Sequence, residues 1–316
     1  MKFLRHVLSP KITIVTIVFK KELPLLMLQA KSIKMFANVN LKSVIIVIND
    51  FFSKQEAKEL GKSYNQIFEG KVKVEIILGA ELIRENYLFD ISGWKAQQIL
   101  KLKVHQKIET AYYLSLDAKN HLIRELQTKD LFSRRKPIAY IKENSAPYWI
   151  QQINSSKKVL DISNDENLDY FIPPATPYIL ITEEVKNLSI FLASKNTSTD
   201  IAISERGATE YLLYYLYLGR YNRAKTMYCF KKVGDKNAVT FFNKAPRSNQ
   251  GMTKSLQSLH SHNTKWLAVH RNRFVLDYEV DIKKNIIEIW VSSGLFESAK
   301  SAENFWSNFK RSLGNP

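Results

Sequence analysis

An α/β fold built on a mostly parallel, doubly wound sheet is the class this sequence predicts, on three observations. Short apolar runs with β-branched residues recur along the first 125 positions. Segments with helical spacing of apolar residues lie between them. Polar residues gather where the apolar runs end, and open α/β sheets bind ligands beyond the carboxyl ends of their strands.

ITIVTIVF at 12–19 reads as the first strand, and a helix from about Leu23 tolerates Pro24 in its first turn. VIIVIND at 44–50 is a second buried strand that ends on Asn49 and Asp50. Ser53 and Glu56 form a capping box that opens the next helix. VKVEIIL at 72–78 is a third strand. From Gly93, the residues Ala96, Ile99, Leu100, Val104 and Ile108 make an apolar helix face, opposite Gln97, Gln98, Lys101 and His105. YYLSL, in the strand 111–116, is too short and too apolar to be anything but buried. The chain then turns polar at Asp117, Lys119, Asn120 and His121.

Beyond Arg124 the pattern changes. PIAYIKE, and the region of Tyr148 and Trp149, read as strands or as an insertion facing an acceptor. Residues 162–177 hold three prolines and cross the surface. VKNLSIFLASK is a short helix, and 205–221 is a long, nearly all-apolar one packed on the sheet. Residues 243–264 are polar and poor in large apolar groups, which marks a lid-like loop. WLAVHR and IIEIWV read as strands. A last helix carries Ala302, Phe305, Trp306, Phe309 and Leu313 on one stripe, with Lys310 and Arg311 beside it. That composition suits either the closing of the core or docking on an anionic membrane surface. No clean linker divides the 316 residues, so one composite domain is expected, with halves at 1–125 and 126–316.

One cysteine, Cys229, rules out an internal disulfide framework and a multi-cysteine metal site. The N-terminal apolar run breaks at Ser9-Pro10-Lys11, and no stretch is long enough to span a bilayer, so the reading is cytoplasmic. The net charge of +17 favours anionic partners. Nucleic acid is one such partner, but the basic residues are dispersed and no nucleic-acid-binding motif stands out, so none is expected.

GWKAQQILKLK followed by a tyrosine-rich strand and LDAKNH resembles a family of bacterial proteins with a glycosyltransferase type A-like fold. ITIVTIVFKKELPLLMLQAKSI, TEYLLYYLYL and WLAVHR match less tightly, so the resemblance spans most of the chain. It implies a nucleotide-sugar donor bound by the first half and a glycan or glycolipid acceptor met by the second. The product would be a bacterial capsule or lipopolysaccharide. In such folds a DxD motif after this strand holds Mn2+ or Mg2+ with the donor diphosphate. Here Asp117-Ala118-Lys119 has lysine where the second acid belongs, so metal independence is also consistent.

On this resemblance Asp117 is the donor-side acid, on a metal or on donor hydroxyls, with turn capping as the competing role. Lys119 supplies fixed positive charge and Asn120 binds sugar. Thr16 and Asp50 face base and ribose, with strand-end capping the equal alternative for Asp50, and Gln97, Gln98 and Lys101 form a donor-binding helix face, or a solvated one. Glu210 lies in an apolar helix where burial raises a carboxylate's pKa, which suits a catalytic base. His270 and Arg271 neutralise the leaving diphosphate, with a metal-ligand role as the alternative for His270 and a structural salt bridge as the alternative for Arg271. A degenerate, non-catalytic glycan-binding protein stays open because the second acid is missing.

Overall fold

The computed structural model describes residues 9–83, 91–143, 147–163, 170–171, 175–221, 223–235, 237–243, 245–261, 263–275 and 282–314. Strands β1 (Ile12–Val18), β2 (Leu41–Ile48), β3 (Lys73–Leu78) and β4 (Tyr112–Asp117) run parallel in the order β3-β2-β1-β4. After β5 (Asn120–Leu122) and β6 (Lys136–Glu143), β7 (Tyr178–Ile181) returns antiparallel on the free edge of β4. The predicted sheet is therefore present, with one antiparallel edge strand.

Alternation divides the sheet into two faces. Ile12, Ile14 and Val18 of β1, with Leu114 and Leu116 of β4, share a core with helices α1 (Leu23–Phe36) and α2 (Lys54–Phe68). Val15, Ile17 and Tyr113 face the other way, into a core with α3 (Gly93–Lys103). Helices α4 (Pro147–Val159), α5 (Thr182–Ser194) and α6 (Glu210–Arg220) also feed that second core. Ser53 accepts from the Glu56 amide and Glu56 accepts from the Ser53 amide, so the capping box forms as predicted.

β8 (Cys229–Lys232) pairs in parallel with β6. β9 (Ala238–Phe241) pairs in parallel with β10 (Trp266–Val269), and β10 runs antiparallel to β5. That last pairing brings the end of β10 beside the turn that follows β4.

Three expectations are overturned. The Tyr148–Trp149 region is the start of α4, not a strand. The polar stretch 243–264 is not a loop throughout: it contains α7 (Asn249–His260), whose Met252, Leu256 and Leu259 are buried at helical spacing. IIEIWV lies in α8 (Ile282–Ser292) because Ile282, Ile286, Ile289 and Trp290 recur at i, i+4, i+7 and i+8, and that stripe outweighs β-branched propensity. The final helix α9 (Ala299–Ser312) buries Ala302, Trp306 and Phe309 against α8 and Phe274. Its stripe is thus spent on the core. No described helix is long and apolar enough to cross a membrane.

Candidate active site at the end of β4

Parallel register places Asp117 opposite Ile17 and Leu116 opposite Thr16. Paired residues share a face, so Asp117 emerges towards α3 and α6 while Thr16 points towards α1. Lys101 of α3, itself 5 % exposed, reaches Asp117 Oδ1 at 2.9 Å. Lys119 reaches Oδ2 at 2.8 Å. Gln97 Nε2 donates to Oδ1 at 3.2 Å, and Thr176 Oγ1 donates to Oδ2 at 2.9 Å. Burial alone would raise the Asp117 pKa, but the two ammonium groups hold the carboxyl well below the usual range. Asp117, with Tyr211 and Glu210, overcomes desolvation at Lys101 and holds its ammonium charged.

Glu210 opens α6 on the far side of Lys101, with Oε1 3.4 Å from Nζ. It is 3 % exposed, and its Oε2 has no hydrogen-bond partner among the described residues. Burial raises its pKa, and the Lys101 charge only partly opposes that. Gln98 accepts from the Glu210 amide at 3.4 Å. Gln97, Gln98 and Lys101 therefore converge on the two acids, and they are not a solvated helix face.

The Asp117–Asn120 turn is held from below. Asn120 Oδ1 accepts from the Asp117 amide at 2.8 Å. Gln29 of α1 donates to the carbonyls of both Asp117 and Asn120, at 2.8 Å and 2.7 Å. Thr16 Oγ1 donates to Gln29 Oε1 at 2.7 Å. Thr16 is fully buried and reaches the turn only through Gln29. Asn120 is buried too, so the structure gives both residues positions that brace the turn.

Behind the turn, Trp290 Nε1 donates to His121 Nε2 at 2.8 Å, which leaves the ring proton on Nδ1, facing the Lys119 carbonyl at 3.2 Å. Burial lowers the His121 pKa to about 4. An unfolded histidine titrates near 6.5, so between those values the unfolded chain binds more protons at this ring. Stability contributed by His121 is therefore lost as pH falls from 6.5 to 4, by up to about 3 kcal/mol. Glu22 and Glu210, whose pKa values are raised, act in the opposite sense: their contribution is lost as pH rises above 4.5. The expected result is a melting temperature that falls less steeply below pH 6.5 in His121→Asn than in the parent. Equal slopes would exclude His121 as the titrating group.

On the open side, His270 and Arg271 follow β10. His270 Nδ1 accepts from the Asn272 amide at 3.2 Å, so its neutral ring donates from Nε2. Burial, then Lys119 and Arg271, lower its pKa to about 4. Arg271 Nη1 lies 3.8 Å from Glu22 Oε1, and its guanidinium stands 6.0 Å from the Phe19 ring. Glu22 is raised by burial against the pull of Arg271 and Lys119.

Asp50 accepts from the amides of Lys20 and Phe51, at 3.0 Å and 2.8 Å, which makes it a cap on the β2 end. Asn49 Nδ2 donates to the Gly93 carbonyl at 2.9 Å and ties that end to α3. A Cβ at Gly93 would stand 2.8 Å from the Phe19 ring, so a larger residue there would have to displace that ring. Phe51 and Trp94 remain exposed at this edge.

Three residues of the cluster escaped the sequence reading. Gln29 and Glu22 sit in ordinary helix and turn sequence, and Thr176 lies 59 positions beyond Asp117. Only the tertiary fold brings them in.

The sequence profile of a family of unknown function, DUF6492, matches residues 12–265. The chain belongs to the DUF6492 family. No curated protein matches it. Among solved structures, the fold is similar to the glycosyltransferase GlyE of Streptococcus pneumoniae TIGR4, with a TM-score of 0.50 at 11% identity over 94% of this chain and 63% of that one. An active-site mutant of LgtC aligns with a TM-score of 0.50 at 13% identity, over 89% of this chain and 95% of the other. Mouse xyloside xylosyltransferase 1 aligns more loosely, with a TM-score of 0.43 at 11% identity over 82% and 97%. This DUF6492 chain therefore has the glycosyltransferase type A-like fold, with the Asp117 cluster at the carboxyl end of its sheet.

The resemblance calls for Mn2+ or Mg2+ on Asp117, and the residues present do not fit one. Each Asp117 oxygen already takes an ammonium and a neutral donor. Among the described residues, no group of three or more His, Cys, Asp or Glu side chains is placed to hold a metal ion.

Proposed function

We propose that the protein is a nucleotide-sugar-dependent glycosyltransferase whose donor site is the Asp117–Lys119 turn. The observation that carries this reading is the meeting of a charged cluster with the end of β4. Asp117, Lys119, His270 and Arg271 come from two sheets and lie within electrostatic reach of one another, and Lys101 joins Asp117 to the buried Glu210. Lys119 and Arg271 supply positive charge for a diphosphate, and His270 Nε2 supplies a neutral donor. Asp117 accepts donor hydroxyl protons once Thr176 or Lys119 yields an oxygen. Phe51 and Trp94 offer ring faces near the β2 end for a base, with Asn49 and Asp50 beside them.

Glu210 has the burial expected of a group whose proton affinity suits general-base work, and Lys101 next to it sets how much of it ionises. The acceptor we infer is a bacterial surface glycan or glycolipid, in capsule or lipopolysaccharide synthesis, reached from the cytoplasmic side. The +17 charge supports attraction to an anionic membrane surface or an anionic glycan.

A thermal-shift screen of uridine, guanosine and cytidine nucleotide sugars tests the donor site, since a ligand of the native state raises its melting point. Hydrolysis of the stabilising donor without acceptor supports an enzyme, and binding without turnover supports a glycan- or nucleotide-binding protein instead. Arg271→Met is expected to weaken binding of the nucleoside diphosphate by about tenfold or more, the loss of one charge-assisted contact. Its melting temperature should hold, because the arginine is 38 % exposed and 3.8 Å from its acid. Unchanged diphosphate affinity would remove Arg271 from the site.

A further inference from the structure

Asp117 presents a saturated carboxylate. Lys101 and Gln97 occupy Oδ1, and Lys119 and Thr176 occupy Oδ2. A divalent cation binds through carboxylate lone pairs, and here it would meet two ammonium groups across the same oxygens. Both ammonium groups repel the ion at close range, and its double charge doubles that repulsion. Glu210 Oε1 faces Lys101 and Glu22 faces Arg271, and neither acid joins Asp117 in a group placed to hold a metal ion among the described residues.

The two lysines differ in access. The Lys101 side chain is 6 % exposed and the Lys119 side chain 17 %. Lys101 is sealed between Asp117, Glu210 and the Tyr211 ring, 5.4 Å from its centroid. Lys119 is the more accessible of the two, lies two residues past the end of the strand, and is within electrostatic reach of both His270 and Glu22. Lys119 and Arg271 together carry the two positive charges of one divalent ion.

We propose that this centre binds a diphosphate-bearing ligand without a divalent cation, and that Lys119 both keeps the metal out and replaces its charge. The inference rests on the nucleotide-sugar reading above. Lys101 holds Asp117 ionised and oriented from inside, so the acid keeps its turn while Lys119 pivots towards the diphosphate. Lys119→Asp would restore two acids flanking Ala118 and remove the excluding cation at once.

Calorimetric titration of the full chain with UDP, GDP and CDP, in EDTA and again in Mn2+, tests this. One of the three is expected to bind with dissociation constants equal within about threefold in the two buffers. Lys119→Asp is expected to lose about tenfold or more of that affinity in EDTA and to regain it in Mn2+. It should also quench the free Mn2+ resonance signal, which the parent leaves unchanged. Lys119→Met serves as the second variant: it should weaken binding equally in both buffers and keep the parent melting curve. Binding by the parent only in Mn2+ overturns cation independence and leaves the nucleotide reading standing. A parent that binds none of the three in either buffer defeats both. A Lys119→Asp protein that folds but ignores Mn2+ overturns the assignment of metal exclusion to Lys119.

Discussion

Asp117→Asn is expected to destabilise the fold by about 3 kcal/mol as well as to abolish transfer. The substitution leaves Lys101 buried and charged without its nearest counter-charge. Removing one partner of a buried pair typically costs about 3–5 kcal/mol, and the low end applies here because Glu210 remains 3.4 Å from the ammonium. Loss of Asp117 also removes one of the charges that raise the Glu210 pKa, so Glu210 takes over as the counter-ion. Urea unfolding of the single variant and of Asp117→Asn with Lys101→Met gives the test. The double variant should recover much of the loss, because a neutral apolar side chain then replaces the orphaned charge. A single variant within about 0.5 kcal/mol of the parent would mean that Lys101 does not depend on Asp117.

Trp306→Ala carries the second large effect, a loss of about 3–5 kcal/mol. The indole is 5 % exposed, its ring centre lies 4.2 Å from that of Phe274 and 6.0 Å from that of Trp290, and it closes the core that α9 shares with α8. Phe274 in turn lies three residues past Arg271, so this packing backs the loop that carries the guanidinium. Removing residues 298–316 should lower the melting temperature steeply for the same reason. A truncated protein that keeps its melting temperature but no longer binds anionic vesicles would assign the stripe to a membrane.

Much of the sheet is legible in the sequence because its strands are short, fully apolar and spaced by helices. Asp117, Lys119 and Lys101 are legible as candidates, since strand ends bind ligands and the LDAKNH pattern is distinctive. Their roles are not. Whether Lys101 is a solvated helix residue or a buried counter-ion depends on what packs on α3, and Glu210 lies 109 positions away. Thr16 fails as a surface group because strand register, not sequence, sets its face. IIEIWV misleads because β-branched content and helical spacing point in opposite directions, and the tertiary stripe decides.

The Glu22–Arg271 pair joins positions 249 residues apart, and Lys31 Nζ donates to the Leu295 carbonyl across 264. During synthesis, therefore, the central strand β1 emerges first, and the open side of the site closes only when β10 and the turn after it have left the ribosome. Until then the edge of β5 that β10 will occupy, and the α1 surface that α8 and α9 will cover, stay uncovered. Such distant closures are slow steps in folding, and they leave the nascent chain open to misassembly for most of its translation. Expression yield should thus respond more to substitutions in the last fifty residues than their distance from Asp117 would imply.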